Sequence, residues 1–132
     1  MNNINAAITA VHGKVPENVI TNSDLEKMVD TNDEWIVSRT GIKERRIVEK
    51  GETLSDLGAD VVKNICDKRG ISPLEIDMVI VGTVTSDHRF PSSSNLICYK
   101  SGATNAWGYD LSAACSGFIY GLVTGQQFIE TG

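Results

Sequence analysis

Residues 111–129 contain no Asp, Glu, Lys or Arg, and this charge-free stretch restricts the possible folds more than any other feature of the chain. Its length and apolar content are compatible with a membrane span or with a helix buried inside protein. Ser, Thr and Gln side chains and three glycines interrupt the apolar residues, and they favour the buried helix. We therefore expect a helix that protein covers on several sides, and no membrane partner.

Cys115 lies where the spacing of apolar residues changes from strand-like to helical. A short apolar run around Tyr109 precedes it, and after Gly117 apolar residues recur at helical spacing. The free N–H groups at a helix start carry partial positive charge, which favours a thiolate. Two interpretations follow: Cys115 is a nucleophile at a strand-to-helix turn, or it is a small buried side chain, as most free cysteines are.

The composition is that of one soluble globular domain. A chain of 132 residues can bury one modest core, and its 41% hydrophobic and 22% charged residues are ordinary. The formal net charge of −5 argues against nucleic acid as a partner, because nucleic-acid-binding proteins normally carry a basic patch. One basic cluster is present, and it consists of Arg39, Lys43, Arg45 and Arg46. It is either a solvated surface or a site for a phosphate-bearing or acidic partner.

The cysteine pattern predicts reduced thiols and no metal. Cys66, Cys98 and Cys115 are widely spaced, with no Cys-x-x-Cys and no Cys/His cluster, so neither a zinc site nor a disulfide framework is indicated. Reduced cysteines are typical of cytosolic proteins. The N-terminus lacks the basic and long apolar segments of a signal peptide. We therefore expect a cytoplasmic protein.

The order of predicted elements is that of an α/β fold. Apolar runs at residues 4–11, 78–82 and 106–111 predict buried strands, in a mostly parallel sheet covered by helices. Helices are expected after Asn22 or Ser23, from Asp33 to Gly41, after the Thr53/Asp56 cap as far as Gly70, briefly at Ser72–Glu75, and from Ser92 to Gly102. In the helix that follows Thr53, the residues expected on the buried face are Leu54, Leu57, Val61 and Ile65.

Three stretches resemble one enzyme family closely. They are residues 22–45, which include Asp33-Glu34-Trp35-Ile36-Val37 and Arg39-Thr40-Gly41-Ile42; Phe90-Pro91-Ser92; and Asp110-Leu111-Ser112-Ala113-Ala114-Cys115-Ser116-Gly117-Phe118. The chain resembles the N-terminal part of the β-ketoacyl-acyl carrier protein synthase III family, over essentially all of its length. This resemblance implies a thiolase-like fold, of which residues 1–132 would form the first part of the N-terminal βαβαβ half. It also implies an acyltransferase of bacterial fatty acid synthesis.

The resemblance assigns roles to individual residues. Cys115 would take the acyl group from acyl-coenzyme A before a decarboxylative Claisen condensation with malonyl-acyl carrier protein. Trp35 would stack on the adenine of coenzyme A and Arg39 would meet its phosphates, with Thr31 and Thr40 lining the same mouth. From the residues alone, Trp35 would be a core aromatic side chain and Arg39 a surface charge.

The resemblance further implies a homodimer in which the strands around Tyr109 pair across the two subunits. Phe90 would cap the acyl pocket of the partner subunit, whereas from the residues alone it is an ordinary loop anchor. The partners implied are acyl-coenzyme A and acyl carrier protein, and no cofactor is expected.

The family's catalytic histidine and asparagine lie in a later half that has no counterpart in residues 1–132, and His12 and His88 do not match them. We therefore expect a truncated chain that lacks complete condensing activity. Three alternatives remain: a coenzyme A-binding or acyl-binding module without condensation activity, another thiolase-fold acyltransferase, and a structural role in which the chain assembles through unpaired strand edges.

Overall fold

A computed structural model describes residues 5–132, and these residues form two compact units. The first, the ribbon unit, comprises Val15–Glu52. The second, the sheet unit, comprises Thr53–Gly132 together with the described residues up to Lys14.

The ribbon unit contains two short strands and two helices. β1 (Val19–Thr21) pairs antiparallel with β2 (Glu44–Arg46), and α1 (Asn22–Glu26) and α2 (Asp33–Thr40) lie between them in the chain. The predicted α2 and its end at Gly41, which has a φ of +70°, are confirmed. The predicted cap of α1 is wrong, because Thr21 caps the helix in a capping box with Asp24. The antiparallel ribbon was not predicted.

The sheet unit is an α/β arrangement around two parallel strands. Its elements are α3 (Leu54–Arg69), a 3₁₀ turn at Pro73–Glu75, β3 (Met78–Gly82), α4 (Ser93–Ser101), β4 (Trp107–Leu111), a 3₁₀ turn at Ala114–Ser116, and α5 (Gly117–Thr131). β3 and β4 run parallel, with Met78 opposite Trp107 and Gly82 opposite Leu111. The predicted parallel pairing is confirmed.

Local sequence explains where these helices begin and end. Thr53 and Asp56 form a reciprocal capping box at the start of α3, and the Ser92 side chain accepts from the N–H of Asn95 at the start of α4. Both helices end at a glycine with positive φ, +65° at Gly70 and +86° at Gly102. Glycine adopts this conformation without the steric penalty that a Cβ atom would bring.

Small side chains form the core between α3 and α4. The buried apolar residues of the sheet unit are Ala59, Cys66, Ile97, Cys98 and Ala103. A Cβ atom at Gly58 would lie 2.3 Å from Ile97 Cδ1, so the glycine permits a close approach of the two helices. The buried residues of α3 are Ser55, Ala59 and Cys66. The residues predicted for the buried face, Leu54, Leu57, Val61 and Ile65, are only half-buried.

The strand predicted at residues 4–11 is not formed. Residues 5–11 have no strand pairing within the described part of the chain, although Lys68 donates to the Val11 carbonyl oxygen at 2.9 Å. Ile8 and Val11 are each 70% exposed, and position 4 lies outside the described residues. An apolar run becomes a strand only where a neighbouring backbone pairs with it. α5 packs on β3 and leaves its outer face exposed, so residues 5–132 do not supply the cover on several sides that its apolar sequence requires. No helix in the described part of the chain has the length and apolar content needed to cross a membrane.

Candidate functional site

Cys115 lies in the turn between β4 and α5, and its side chain is exposed. The preceding residue, Ala114, has a φ of +44°, which residues other than glycine rarely adopt. The N–H of Ser116 donates to the Ala113 carbonyl oxygen at 3.0 Å and closes the turn. Cys66 and Cys98, by contrast, are buried. The interpretation of Cys115 as a buried thiol is therefore wrong.

Backbone contacts set the position of α5 directly behind the Cys115 turn. A Cβ atom added at Gly117, the first residue of α5, would lie 3.3 Å from the Cα of Gly82 at the end of β3. The Thr83 N–H also donates to the Leu111 carbonyl oxygen at 3.1 Å, which joins the ends of β3 and β4. Two glycines thus let the helix start approach the strand end without intervening side chains.

Two carboxylates bind the N–H groups at helix starts, and sequence reasoning missed both. Asp110 accepts from the N–H groups of Ser93 and Ser94, each at 2.8 Å. Asp87 accepts from the N–H groups of Leu54 at 2.9 Å and Ser55 at 3.0 Å. Burial opposes ionisation of Asp87, but its hydrogen bonds to Ser55 and Leu54 outweigh burial and hold its pKa below the usual value. The available signal for Asp110 was its place at the end of an apolar strand, whereas Asp87 lies five positions after the end of β3.

The ribbon unit presents an exposed indole beside a guanidinium. Trp35 is 54% exposed, and the Arg39 guanidinium carbon lies 4.9 Å from the centre of its ring, within cation–π range. Trp35 also borders a cavity of about 220 Å³ that Asp30, Thr31 and Asn32 complete. The interpretation of Trp35 as a core residue is wrong, and Ile36 is the buried residue of α2 instead.

Thr40 lies at the end of the same helix but its hydroxyl already has backbone partners. It donates to the Ile36 carbonyl oxygen at 2.7 Å and accepts from the Ile42 N–H at 3.0 Å. The structure thus brings Thr31 to the cavity beside Trp35 and gives Thr40 a role in ending α2. Any contact of Thr40 with a ligand remains a prediction.

Two side chains of the basic cluster, Arg45 and Arg46, form hydrogen bonds within the protein. Arg45 donates to the Asn22 side-chain oxygen at 2.8 Å, and buried Asn22 in turn donates to the Asp33 carboxylate at 2.7 Å. Arg46 donates to the Glu17 carbonyl oxygen at 3.0 Å. These bonds give Arg45 and Arg46 a structural role in the ribbon unit.

Phe90 and Cys115 both belong to the sheet unit. Phe90 is 90% exposed and lies in the segment before α4, where it is joined to Pro91 by a cis peptide bond. It is therefore not buried as a loop anchor.

Among residues 5–132, no group of three His, Cys, Asp or Glu side chains is placed to hold a metal ion.

The chain is similar to curated proteins over nearly all of its own length. It is 53% identical over 128 residues to a β-ketoacyl-[acyl-carrier-protein] synthase III of Chlorobaculum tepidum, covering 96% of this chain and 39% of the relative. It is 50% identical over 127 residues to one of Koribacter versatilis, covering 96% and 38%. The chain thus spans about two fifths of the length of these relatives. No family model matches it.

Solved structures share the fold. A 3-oxoacyl-[acyl-carrier-protein] synthase III from Aquifex aeolicus superposes with a TM-score of 0.84 at 47% identity, covering 89% of this chain and 38% of that one. The corresponding synthase from Thermus thermophilus gives a TM-score of 0.87 at 44% identity, covering 96% and 39%. The predicted fold class, the first part of a thiolase-type α/β fold, is confirmed.

Proposed function

We propose that this chain, which is similar to β-ketoacyl-[acyl-carrier-protein] synthases III over about two fifths of their length, carries the acyl-accepting part of such an enzyme. Cys115 takes an acyl group, of the acetyl type, from acyl-coenzyme A, as the first step towards condensation with malonyl-acyl carrier protein. The observation that carries the proposal is the exposed thiol of Cys115 on a closed strand-to-helix turn, inside one of the three stretches that resemble the family.

The proposed step is a thioester exchange. The Cys115 thiolate attacks the thioester carbonyl carbon, a new S–C bond forms, and the bond to the coenzyme A sulfur breaks. Coenzyme A leaves as a thiolate and takes up a proton. Within residues 5–132 the N–H of Cys115 donates to no protein acceptor, so it is free to stabilise the oxyanion of the tetrahedral intermediate.

The ribbon unit supplies the groups proposed to bind coenzyme A. The exposed face of Trp35 suits a purine ring, and Arg39 beside it suits phosphate. Thr31, just before α2, and Thr40, the last residue of α2, are proposed to line the same coenzyme A site. The reaction requires no metal or cofactor besides the acyl-coenzyme A substrate.

Incubation with radiolabelled acetyl-coenzyme A tests the proposal. We expect one acetyl group on Cys115, located by peptide mass spectrometry, and none in Cys115→Ser. Cys98→Ser serves as the control, because it removes a thiol but leaves the proposed nucleophile. Label in Cys115→Ser equal to that in wild type would contradict the assignment.

A second candidate, a coenzyme A-binding module without acyl transfer, is favoured by the cavity and exposed indole of the ribbon unit. Calorimetry with acetyl-coenzyme A separates the two. Trp35→Ala should weaken binding, whereas Trp107→Ala removes an indole of similar exposure in the sheet unit and should not. Binding that depends on Trp35 without acetylation of Cys115 favours the module.

The remaining partners of the proposed enzyme follow from the same premise. A homodimer is supported by β4, because among the described residues it pairs with β3 on one edge and with no strand on the other. The three free cysteines support a cytoplasmic location for the proposed enzyme. Phe90, being almost fully exposed, is available to reach the acyl pocket of a partner subunit. Acyl carrier protein is the proposed donor of the malonyl group.

A further inference from the structure

Asp110 connects the two parts of the sheet unit that carry Cys115 and Phe90. Its two carboxylate oxygens accept from the N–H groups of Ser93 and Ser94, the first residues of α4, which follow closely after Phe90. Asp110 itself is in β4, the strand that leads into the Cys115 turn. One carboxylate therefore joins the start of α4 to the end of that strand.

We propose that Asp110 is a positioning residue that holds the Cys115 turn in the geometry required for acyl transfer. The turn contains Ala114 at a φ of +44°, and such a conformation persists only where the surrounding structure maintains it. A carboxylate that accepts two N–H bonds is a strong and directional restraint at the strand end. The catalytic part of this inference rests on the proposed function, whereas its structural part does not.

Hydrogen exchange of Asp110→Asn, followed by mass spectrometry, tests the structural part. The amide has the shape of the carboxylate, but its NH₂ group cannot accept, so one of the two N–H groups loses its partner. Asp87→Asn is the matched control, because it makes the same change at the start of α3. We expect Asp110→Asn to speed exchange at Ser93 and Ser94 and also in residues 112–117. Asp87→Asn should leave residues 112–117 as in wild type.

A role confined to capping α4 predicts a different result. Asp110→Asn would then speed exchange at the start of α4 and leave residues 112–117 unchanged, and this outcome would overturn the proposal. Equal acceleration of residues 112–117 in both variants would overturn it as well, because a general loss of stability would explain it.

Acetylation kinetics test the catalytic part. In Asp110→Asn we expect the rate constant at saturating acetyl-coenzyme A to fall by about 10-fold to 100-fold, since misplacement of a reacting group has effects of this size. The half-saturating concentration should stay within about twofold, because substrate binding is assigned to other residues. If wild-type Cys115 is not acetylated, the proposed function fails, while the exchange data still decide the role of Asp110.

A second pair of variants covers the case in which Asp110→Asn does not fold. Ser93→Pro removes the N–H that donates to Asp110, at a first helical position where proline is well tolerated. Ser93→Ala removes the hydroxyl alone and serves as its control. Faster exchange of residues 112–117 in Ser93→Pro than in Ser93→Ala supports the proposal, and equal rates overturn it.

Discussion

The three thiols differ in environment, and their reactivity should differ accordingly. Burial raises the pKa of Cys66, with the negative charge of Asp67 adding to the effect, and burial also raises the pKa of Cys98. Both side chains are nearly inaccessible, at 1% and 5% exposure, whereas Cys115 is exposed. We expect iodoacetamide at pH 7.5, about one unit below the usual thiol pKa, to modify Cys115 first.

Intact-mass spectrometry over time measures this difference. One modification should appear rapidly in the folded protein, and three should appear in denaturant. Cys115→Ser should abolish the rapid modification. Rapid modification of two or more thiols in the folded protein would contradict the burial of Cys66 and Cys98.

Ionised Asp56 should contribute to the free energy of unfolding, and this contribution should be lost in acid. The hydrogen bond from Lys100, at 2.7 Å, and those from Thr53 lower its pKa from 3.8 to about 2. A lowered carboxyl pKa stabilises the fold fully above pH 3.8, and the benefit disappears as the pH falls towards 2. Because the Asp56 side chain is 46% exposed, solvent screening limits the contribution to about 1 kcal/mol or less.

NMR titration of Lys100→Met checks this attribution. The variant should raise the pKa of Asp56 but keep it below 3.8, because the Thr53 bonds remain. Lys27→Met is the control: the pKa of Asp24 is also about 2, but its largest cause is the Thr21 hydroxyl rather than Lys27. The shift at Asp24 should therefore be smaller than the shift at Asp56, and the reverse order would contradict the assignment of causes.

At the scale of elements, the same substitution should have opposite effects in two helices. Gly58→Ala in α3 would place its Cβ 2.3 Å from buried Ile97, so we expect a loss of about 1–3 kcal/mol from overpacking. Gly121→Ala in α5 meets Ile80 at an ordinary 3.6 Å, so we expect a gain of about 0.5–1 kcal/mol from helix propensity. Urea unfolding of both variants measures these changes, and a stabilising Gly58→Ala would contradict the close packing of α3 and α4.

Elements set by local signals could be predicted from the sequence, whereas elements set by distant partners could not. The caps at Thr53 and Ser92 and the glycine ends of α2, α3 and α4 depend on neighbouring residues, and they were confirmed. Residues 5–11 have a strand-like apolar pattern without a paired backbone, and β1 and β2 pair across more than 20 positions. Propensity carries little information about such pairing.

The same distinction applies to the candidate site. The strand-to-helix turn at Cys115 could be predicted because consecutive residues determine it. The exposure of Cys115 in the structure then excluded a buried thiol. The bonds from Asp87 and Asp110 to helix starts could not be found, because each joins residues 16 or more positions apart. Trp35 shows that helical spacing alone does not decide whether an aromatic side chain enters a core.

At the scale of the whole chain, the main departure from an ordinary globular surface is an apolar groove of the sheet unit. Residues of β3 and α5 line a cavity of about 850 Å³, and the apolar side chains that α5 contributes are Phe118, Leu122, Phe128 and Ile129. An exposed concave apolar surface of this kind is suited to bind a small apolar probe. We expect the native protein to increase the fluorescence of 8-anilinonaphthalene-1-sulfonate (ANS) at neutral pH.

Phe118→Glu should reduce this fluorescence without loss of stability. The Phe118 side chain is 71% exposed, so the substitution places a charge in the groove but removes little packing, and the free energy of unfolding should change by about 0.5 kcal/mol or less. Phe90→Glu is the matched control, because Phe90 is more exposed still and does not line the groove. ANS titration and thermal unfolding measure both effects. Equal loss of fluorescence in the two variants would mean that the dye responds to exposed phenyl rings in general, and not to the groove between β3 and α5.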